Sequence, residues 1–244
     1  MKISLLCPTR DRPKAMERVW ATANETAKYG SNLEIIFYID AIVQHPSEKA
    51  PRIVSDVNSI NKFEEMKKLG RVNAIIENYI KFGGNMWNRA YTKATGDILL
   101  ICADDLIFKS NNWDEAVISA FEEVPDRILL VHAKDEGHPE PTETYPFIHR
   151  NWVETLGYVV SPFLIDVTRF LNKWHFEIAQ TIGRIKYLPD VLIEHNHWPL
   201  DQEDYVRRRA YQERLKFDNL NKRLYMDLLD ERKADILKLQ EIIE

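Results

Sequence analysis

Cysteine is nearly absent from this chain: Cys7 and Cys102 are the only two, and both stand inside apolar, strand-like runs. A disulfide framework or a cysteine metal site is therefore not expected, and a reducing, cytoplasmic setting is. No run of about 18 apolar residues occurs, so no membrane span is expected. The opening "MKISLLCPTRDRP" has one short apolar run followed by charge and proline, which reads as a first strand rather than a leader. An excess of positive charge is missing too. The net charge of -5 and sequence pI near 5.9 argue against a general nucleic-acid-coating role, leaving room only for a local basic patch. There is no internal repeat and no low-complexity segment. What the chain does have is 45% hydrophobic residues over 244 positions, enough to bury a substantial core.

Short β-branched runs alternate with helix-like stretches through the first half, a rhythm of βαβ units on a largely parallel sheet. Strands are expected at Ile3–Cys7, Leu33–Ile39, Val72–Ile76, Ile98–Cys102 and Ile128–Val131, with helices around 14–28, 61–69, 86–94 and 113–123. Asn111 or Asn112 is placed to cap the last helix, and Asp114 and Glu115 suit the positive end of its dipole. After residue 133 the rhythm breaks in the proline-rich "KDEGHPEPTETYPF", which reads as a loop. A further helix is expected over 166–182, then a hairpin at "GRIKYLPDVLIEHNHW". Residues 201–244 contain neither proline nor glycine and should be helical. Their apolar face, Leu215, Leu220, Leu224, Leu228, Leu229, Ile236, Leu239 and Ile243, suits packing on the domain or a homodimer seam.

In a doubly wound sheet, ligands bind beyond the carboxyl ends of the strands, and here those ends are consistently polar. The first strand runs into "PTRDRP", the second into Asp40, and "DILLICADDLIF" delivers Asp104 and Asp105 side by side. A buried aspartate pair repels itself and is costly to desolvate, so a cation or an arginine must compensate it. Arg10 and Arg12 offer planar forks for phosphate oxygens, Asp40 an acceptor for a base or ribose, and the aspartate pair a seat for a hard divalent cation on a diphosphate. The plainer alternative is a surface network pairing the arginines with Asp11 or Asp40.

These segments resemble GT-A glycosyltransferases, family 2-like members in particular: "CPTRDRP" after strand one, the aspartate closing "FYID", and most specifically "NRAYTKATGDILLICADDLIF". The resemblance covers residues 1–198 in outline and is firm over the first 110 and in "GRIKYLPDVLIEHNHW". It implies an α/β, Rossmann-like GT-A domain over 1–200, with a mostly parallel central sheet flanked by helices. Its nucleotide-binding half spans about 1–110 and its acceptor half about 111–200, followed by a C-terminal helical extension over 201–244. The implied activity is metal-dependent transfer of a sugar from a nucleoside-diphosphate sugar, UDP-hexose by default, to a hydroxyl acceptor with inversion. A catalytically silent nucleotide-sugar or glycan-binding module and a nucleotidyltransferase are the alternatives.

Carried over residue by residue, Pro8, Thr9, Arg10 and Arg12 match the nucleotide loop, Asp40 the nucleobase contact, and Asn88 the helix start facing the sugar diphosphate. Ala103 stands where many members have the first aspartate of a DxD triplet, so Asp105 takes the metal and Asp104 the ribose or sugar. His195 and His197, at alternate positions of an extended chain, point the same way as further metal ligands. Such mixed carboxylate and imidazole ligation suits Mn2+ better than a purely oxygen set would, with Mg2+ as the alternative. The catalytic base is expected at Glu177, with Asp166 as runner-up and as an alternative helix cap. Trp152, Trp174 and Trp198 suit either sugar stacking or core packing, and the "HPEPTETYPF" loop is expected to close over the site. The acceptor classes are a glycan, a lipid-linked sugar, a protein or a modified nucleobase. The basic run "YVRRRAYQERLK" reads as a solvated helix face or a phosphate-facing one.

Overall fold

The computed structural model describes residues 1–45, 52–77, 85–135, 144–164, 169–196, 219–220 and 222–243. Strand β1 (Ile3–Thr9) leads into α1 (Pro13–Thr26), where Pro13 sits in the first turn and its missing N–H costs nothing. Then follow β2 (Leu33–Asp40), the short pair β3 (Ile42–His45) and β4 (Arg52–Ser55), α2 (Val57–Lys67), β5 (Val72–Glu77), α3 (Asn85–Tyr91), β6 (Ile98–Ile101), β7 (Leu106–Phe108) and α4 (Trp113–Glu122). The second half holds β8 (Leu130–Lys134), β9 (Phe147–His149), α5 (Arg150–Leu156), α6 (Arg169–Thr181), β10 (Ile185–His195) and a last helix, α7 (Leu229–Ile243).

Eight strands form one sheet in the order β5-β2-β1-β6-β9-β8-β10-β7, and only β9 and β7 run against the rest. Every residue of β2 is buried, as a central parallel strand covered on both faces requires. Alternation along the strands divides the core. Ile3, Leu5, Cys7, Ile35 and Phe37 pack with α1, α2 and α4, whereas Leu6, Ile36, Leu99 and Ile101 pack with α3, α5 and α6. Gly96, just before β6, is pressed against the first strand: a Cβ there would lie 2.8 Å from the Ser4 nitrogen and 2.9 Å from the Lys2 carbonyl. Among the described residues no helix is long and apolar enough to cross a membrane.

Three expectations are corrected. The hairpin at 183–198 is a single strand, β10, in which Pro189 and Asp190 form an exposed bulge. The strand pairs parallel with β8 ahead of the bulge and again at Leu192 beyond it, where its other edge takes up β7 antiparallel, so the irregularity shifts the register instead of reversing the chain. The strand expected at Ile128–Val131 begins at Leu130, because Arg127 adopts a left-handed φ of 64° and the Asp126 carboxylate accepts from the Ile128 N–H. Asn112 does precede α4, but its side chain makes no cap bond; Asp114 instead accepts from the Lys28 and Tyr29 amides at 2.8 and 2.7 Å, tying the end of α1 to α4.

Helix α7 docks on α5 and α6 with Leu239 fully buried and Leu228, Ile236 and Ile243 beside it, while Leu220 and Leu229 are exposed and Leu215 lies outside the described residues. Its centre is polar. The Arg232 guanidinium lies 4.0 Å over the Tyr225 ring and 5.1 Å over Trp174, and Asp235 accepts from the Trp174 indole and the Tyr158 hydroxyl. Trp152 and Trp174 are fully buried core residues, and Trp198 lies outside the described residues.

On the same face His175 is completely buried, and that burial pushes its imidazole down to about 4, with the Val159 backbone a smaller opposing influence. The unfolded chain takes up this proton near pH 6.5 and the folded one near pH 4, so between them the unfolded state binds more protons. Stability is expected to be fully present above pH 6.5 and to fall by roughly 1–3 kcal/mol from this group as pH drops to 4. Urea denaturation across that window should show the loss, and His175→Leu should reduce it, leaving the share of His132, which burial also pushes down to about 4; an equal slope in both proteins would contradict the assignment.

Candidate functional site

Strand order reverses at β1 and β6: β2 and β5 lie to one side of β1, and the chain's later strands to the other. The pairing of the two strands ends at Leu6 and Ile101, with a last bond from the Cys102 amide to the Leu6 carbonyl, and the gap that a strand-order reversal leaves belongs at these carboxyl ends. Into it come Thr9, Arg10 and Arg12 from the β1 end and Asp104 and Asp105 from the β6 end.

The carboxylates are compensated in different ways. Asp104 accepts from the Thr9 hydroxyl at 2.8 Å and from a short contact with Arg12, while the same guanidinium nitrogen stands 4.0 Å from Asp105. Arg12, Asp104 and Asp105 are all buried, so the pairing answers a desolvation cost that a surface pair would not incur. Arg10 pairs with Asp40, which is buried at the end of β2, as the plainer sequence reading allows. Pro8 pairs in register with Tyr38 of β2, next to the loop.

A second carboxylate layer holds this loop and was not singled out in the sequence. Asp56, buried, caps α2 through Ser59 and with its other oxygen accepts from the Asp11 amide at 2.6 Å. Asp11 carries a left-handed φ of 50°, and the Arg12 amide donates to the Ser59 hydroxyl. The "DVNS" cap pattern was the available signal for Asp56.

The far side of the gap is closed by β10. Its antiparallel register sets His195 opposite Leu106, and the Asn196 amide donates to the Asp105 carbonyl. His195 Nε2 therefore stands 3.3 Å from Asp105 Oδ1. That separation suits two neighbouring ligands of one cation at bond lengths of roughly 2.1 Å. Among the described residues no group of three or more His, Cys, Asp or Glu has a metal-holding arrangement; Asp105 and His195 make a pair. His197, the third expected ligand, lies outside the described residues. Two more residues escaped the sequence reading. Asp135 accepts from the His195 amide at 3.1 Å, and the Tyr145 hydroxyl lies 2.7 Å from His195 Nε2.

Other expected site residues make contacts away from this cluster or lie outside the described residues. Asn88 is on α3, but its amide oxygen accepts from the Val159 and Val160 amides at 2.7 and 3.0 Å and its nitrogen donates to the Val160 carbonyl. It clamps the chain after α5, while its neighbour Trp87 donates to the Cys102 carbonyl beside the aspartates. The Glu177 carboxylate faces the Tyr225 hydroxyl and stands 3.3 Å from Arg232, contacts of the C-terminal segment rather than of the gap. Asp166 and most of the "HPEPTETYPF" loop lie outside the described residues, as does the basic run at 205–216.

No protein-family model matches the chain, and no curated protein sequence matches it. Solved structures match its fold. TarS of S. aureus aligns with a TM-score of 0.60 at 14% identity, over 87% of this chain and 39% of TarS, so the chain spans well under half of that protein. TarS 1–349 in complex with UDP-GlcNAc aligns at 0.55 and 13% identity over 86% of this chain and 65% of that one. Mannosyltransferase PcManGT from Pyrobaculum calidifontis, in complex with GDP-Man and Mn2+, aligns at 0.61 and 13% identity over 99% and 73%. The fold is thus the GT-A fold of the sequence expectation.

The two aspartates should differ in what they do for stability. Asp104→Ala removes the nearest carboxylate from buried Arg12 and the acceptor from Thr9, and is expected to cost about 2–4 kcal/mol in denaturation without ligand. Asp105→Ala, more distant from Arg12, should cost distinctly less. Equal losses would contradict this division of roles.

Proposed function

We propose that the chain is a divalent-metal-dependent glycosyltransferase that takes a nucleoside-diphosphate sugar, UDP-hexose by default, and moves the sugar with inversion to a hydroxyl acceptor. The observation that carries this reading is the convergence of Arg10, Arg12, Asp40, Asp104, Asp105 and His195 on one gap at the strand-order reversal. Neighbours in the same fold bind UDP-GlcNAc or GDP-Man with Mn2+, which supports a nucleotide sugar and a cation here.

In this reading Asp40 accepts from the nucleobase or ribose, and Arg10, now its partner, is within reach of a phosphate oxygen. Asp104 takes ribose or sugar hydroxyls while Arg12 keeps its charge compensated. Asp105 and His195, with His197 as a further candidate, hold Mn2+ or Mg2+, which when bound draws charge from the departing diphosphate. Thr9 and Asp135 act by orienting Asp104 and the His195 backbone. The acceptor hydroxyl must lose its proton to a carboxylate. The candidates are Glu177, whose carboxylate also accepts from Tyr225 and lies against Arg232, and, second, Asp166.

The test is incubation with Mn2+ and each common UDP- and GDP-sugar, reading thermal stabilisation and released nucleotide. One donor is expected to stabilise the protein and be consumed, with Asp105→Ala reducing turnover by about a hundredfold or more. Glu177→Gln should abolish transfer while sparing donor binding; loss of transfer in Asp166→Asn with Glu177→Gln still active would move the role to Asp166. Binding of a donor without turnover under any condition would favour the silent module, a product carrying the nucleotidyl group would favour the nucleotidyltransferase, and no binding with or without Asp105 would remove the reading.

A further inference from the structure

We propose that Tyr145 gates the cation seat: its hydroxyl holds the coordinating nitrogen of His195 until a divalent cation displaces it. This rests on the reading of Asp105 and His195 as cation ligands, and it concerns a residue outside that ligand set. The Tyr145 hydroxyl lies 2.7 Å from His195 Nε2, and the two rings meet edge to face with centroids 4.9 Å apart. An imidazole nitrogen has a single in-plane direction for a proton or a lone pair, so whichever partner carries the proton, a hydroxyl at hydrogen-bond distance occupies the direction a metal needs. The same nitrogen is the one that faces Asp105, at the longer distance of 3.3 Å. Of the two, the tyrosine makes the closer contact.

The chain around this contact is built to present it. Tyr145 has a φ of 41°, in the left-handed region that a bulky side chain rarely adopts, so the surroundings must over-determine it. The next residue, Pro146, is anchored through its carbonyl to the Ile101 amide, at the end of the strand that leads to the aspartates. His195 is fixed independently, through its own amide on Asp135 and through the pairing of β10 with β7. Both backbones are held, so the exchange at Nε2 needs only side-chain movement that withdraws the hydroxyl. Cation binding then exchanges one hydrogen bond for a coordination bond, and the seat takes a metal with less affinity than its ligands alone would give.

Mn2+ binding to the full chain, followed by electron paramagnetic resonance of the free ion, separates the possibilities. Tyr145→Phe removes the competing hydroxyl and keeps the ring, and is expected to tighten Mn2+ by roughly three- to tenfold, the size of one net hydrogen bond. In the metal-free protein, the 15N resonance of His195 Nε2 should shift in Tyr145→Phe, and Mn2+'s diamagnetic substitute Mg2+ should move the wild-type resonance toward the variant's metal-bound position. If Mn2+ binds the wild type and Tyr145→Phe binds equally or more weakly, the gate is overturned while the cation site stands. If His195→Ala leaves Mn2+ binding unchanged, or the wild type binds none, the cation reading fails and the gate fails with it. An unmoved Nε2 resonance in Tyr145→Phe overturns the contact itself.

Discussion

Two carboxylates placed next to each other at the end of a buried strand are the constraint on which this architecture turns. Leaving Asp104 and Asp105 charged and unanswered in the gap between β1 and β6 would cost more than a small domain can spare. The answer is assembled from three directions. Thr9 comes from the end of the adjacent strand and Arg12 from the loop after it, Asp56 at the cap of α2 fixes the backbone that aims them, and His195 arrives from the far end of the sheet. Each of these is set by backbone pairing or capping rather than by a loose side chain, so the polar groups are held in place before any ligand is present.

The two faces of the sheet are stabilised differently. The face under α1, α2 and α4 is centred on an apolar cluster with Phe108, Trp113 and Phe147 in ring contact, and its buried carboxylates, Asp56 and Asp114, sit at helix ends where backbone amides satisfy them. On the other face, polar side chains bridge segments distant in sequence: Asn88 clamps Val159 and Val160, and Tyr158 next to them bonds Asp235 of α7. A continuous run of contacts therefore joins the C-terminal helix to α3, whose Trp87 in turn bonds the Cys102 carbonyl just ahead of the aspartates. The C-terminal helix is part of the wall of the domain, anchored by buried Arg232 and Tyr225 with the half-exposed Glu177 beside them.

Strand periodicity made β1, β2 and β6 legible almost residue for residue, because buried parallel strands are written as continuous apolar runs, and β5, an edge strand with Asn73 exposed, was legible from its β-branched residues. The polar residues immediately after them, Arg10, Arg12, Asp40, Asp104 and Asp105, were legible for the same reason. Pro189 and Asp190 misled, since local turn chemistry there serves a bulge whose partners, β8 and β7, are distant in sequence. Asp135 and Tyr145 carry no local pattern: only the folding of β10 across the sheet brings them to His195. Asn88 and Glu177 matched motif positions, yet the structure engages both side chains elsewhere, and sequence spacing cannot reveal a competing partner some 50 or 70 residues away.

The central claim is that Asp105 joins a cation to a nucleoside diphosphate in this gap, and thermodynamic coupling between the two tests it most directly. Calorimetric titration of UDP and of GDP, each with and without Mn2+, should show binding of one nucleotide tightened about tenfold or more by the metal, with the metal tightened reciprocally and the coupling gone in Asp105→Ala. Nucleotide affinity that is the same with and without Mn2+, or coupling that survives in Asp105→Ala, would contradict the account.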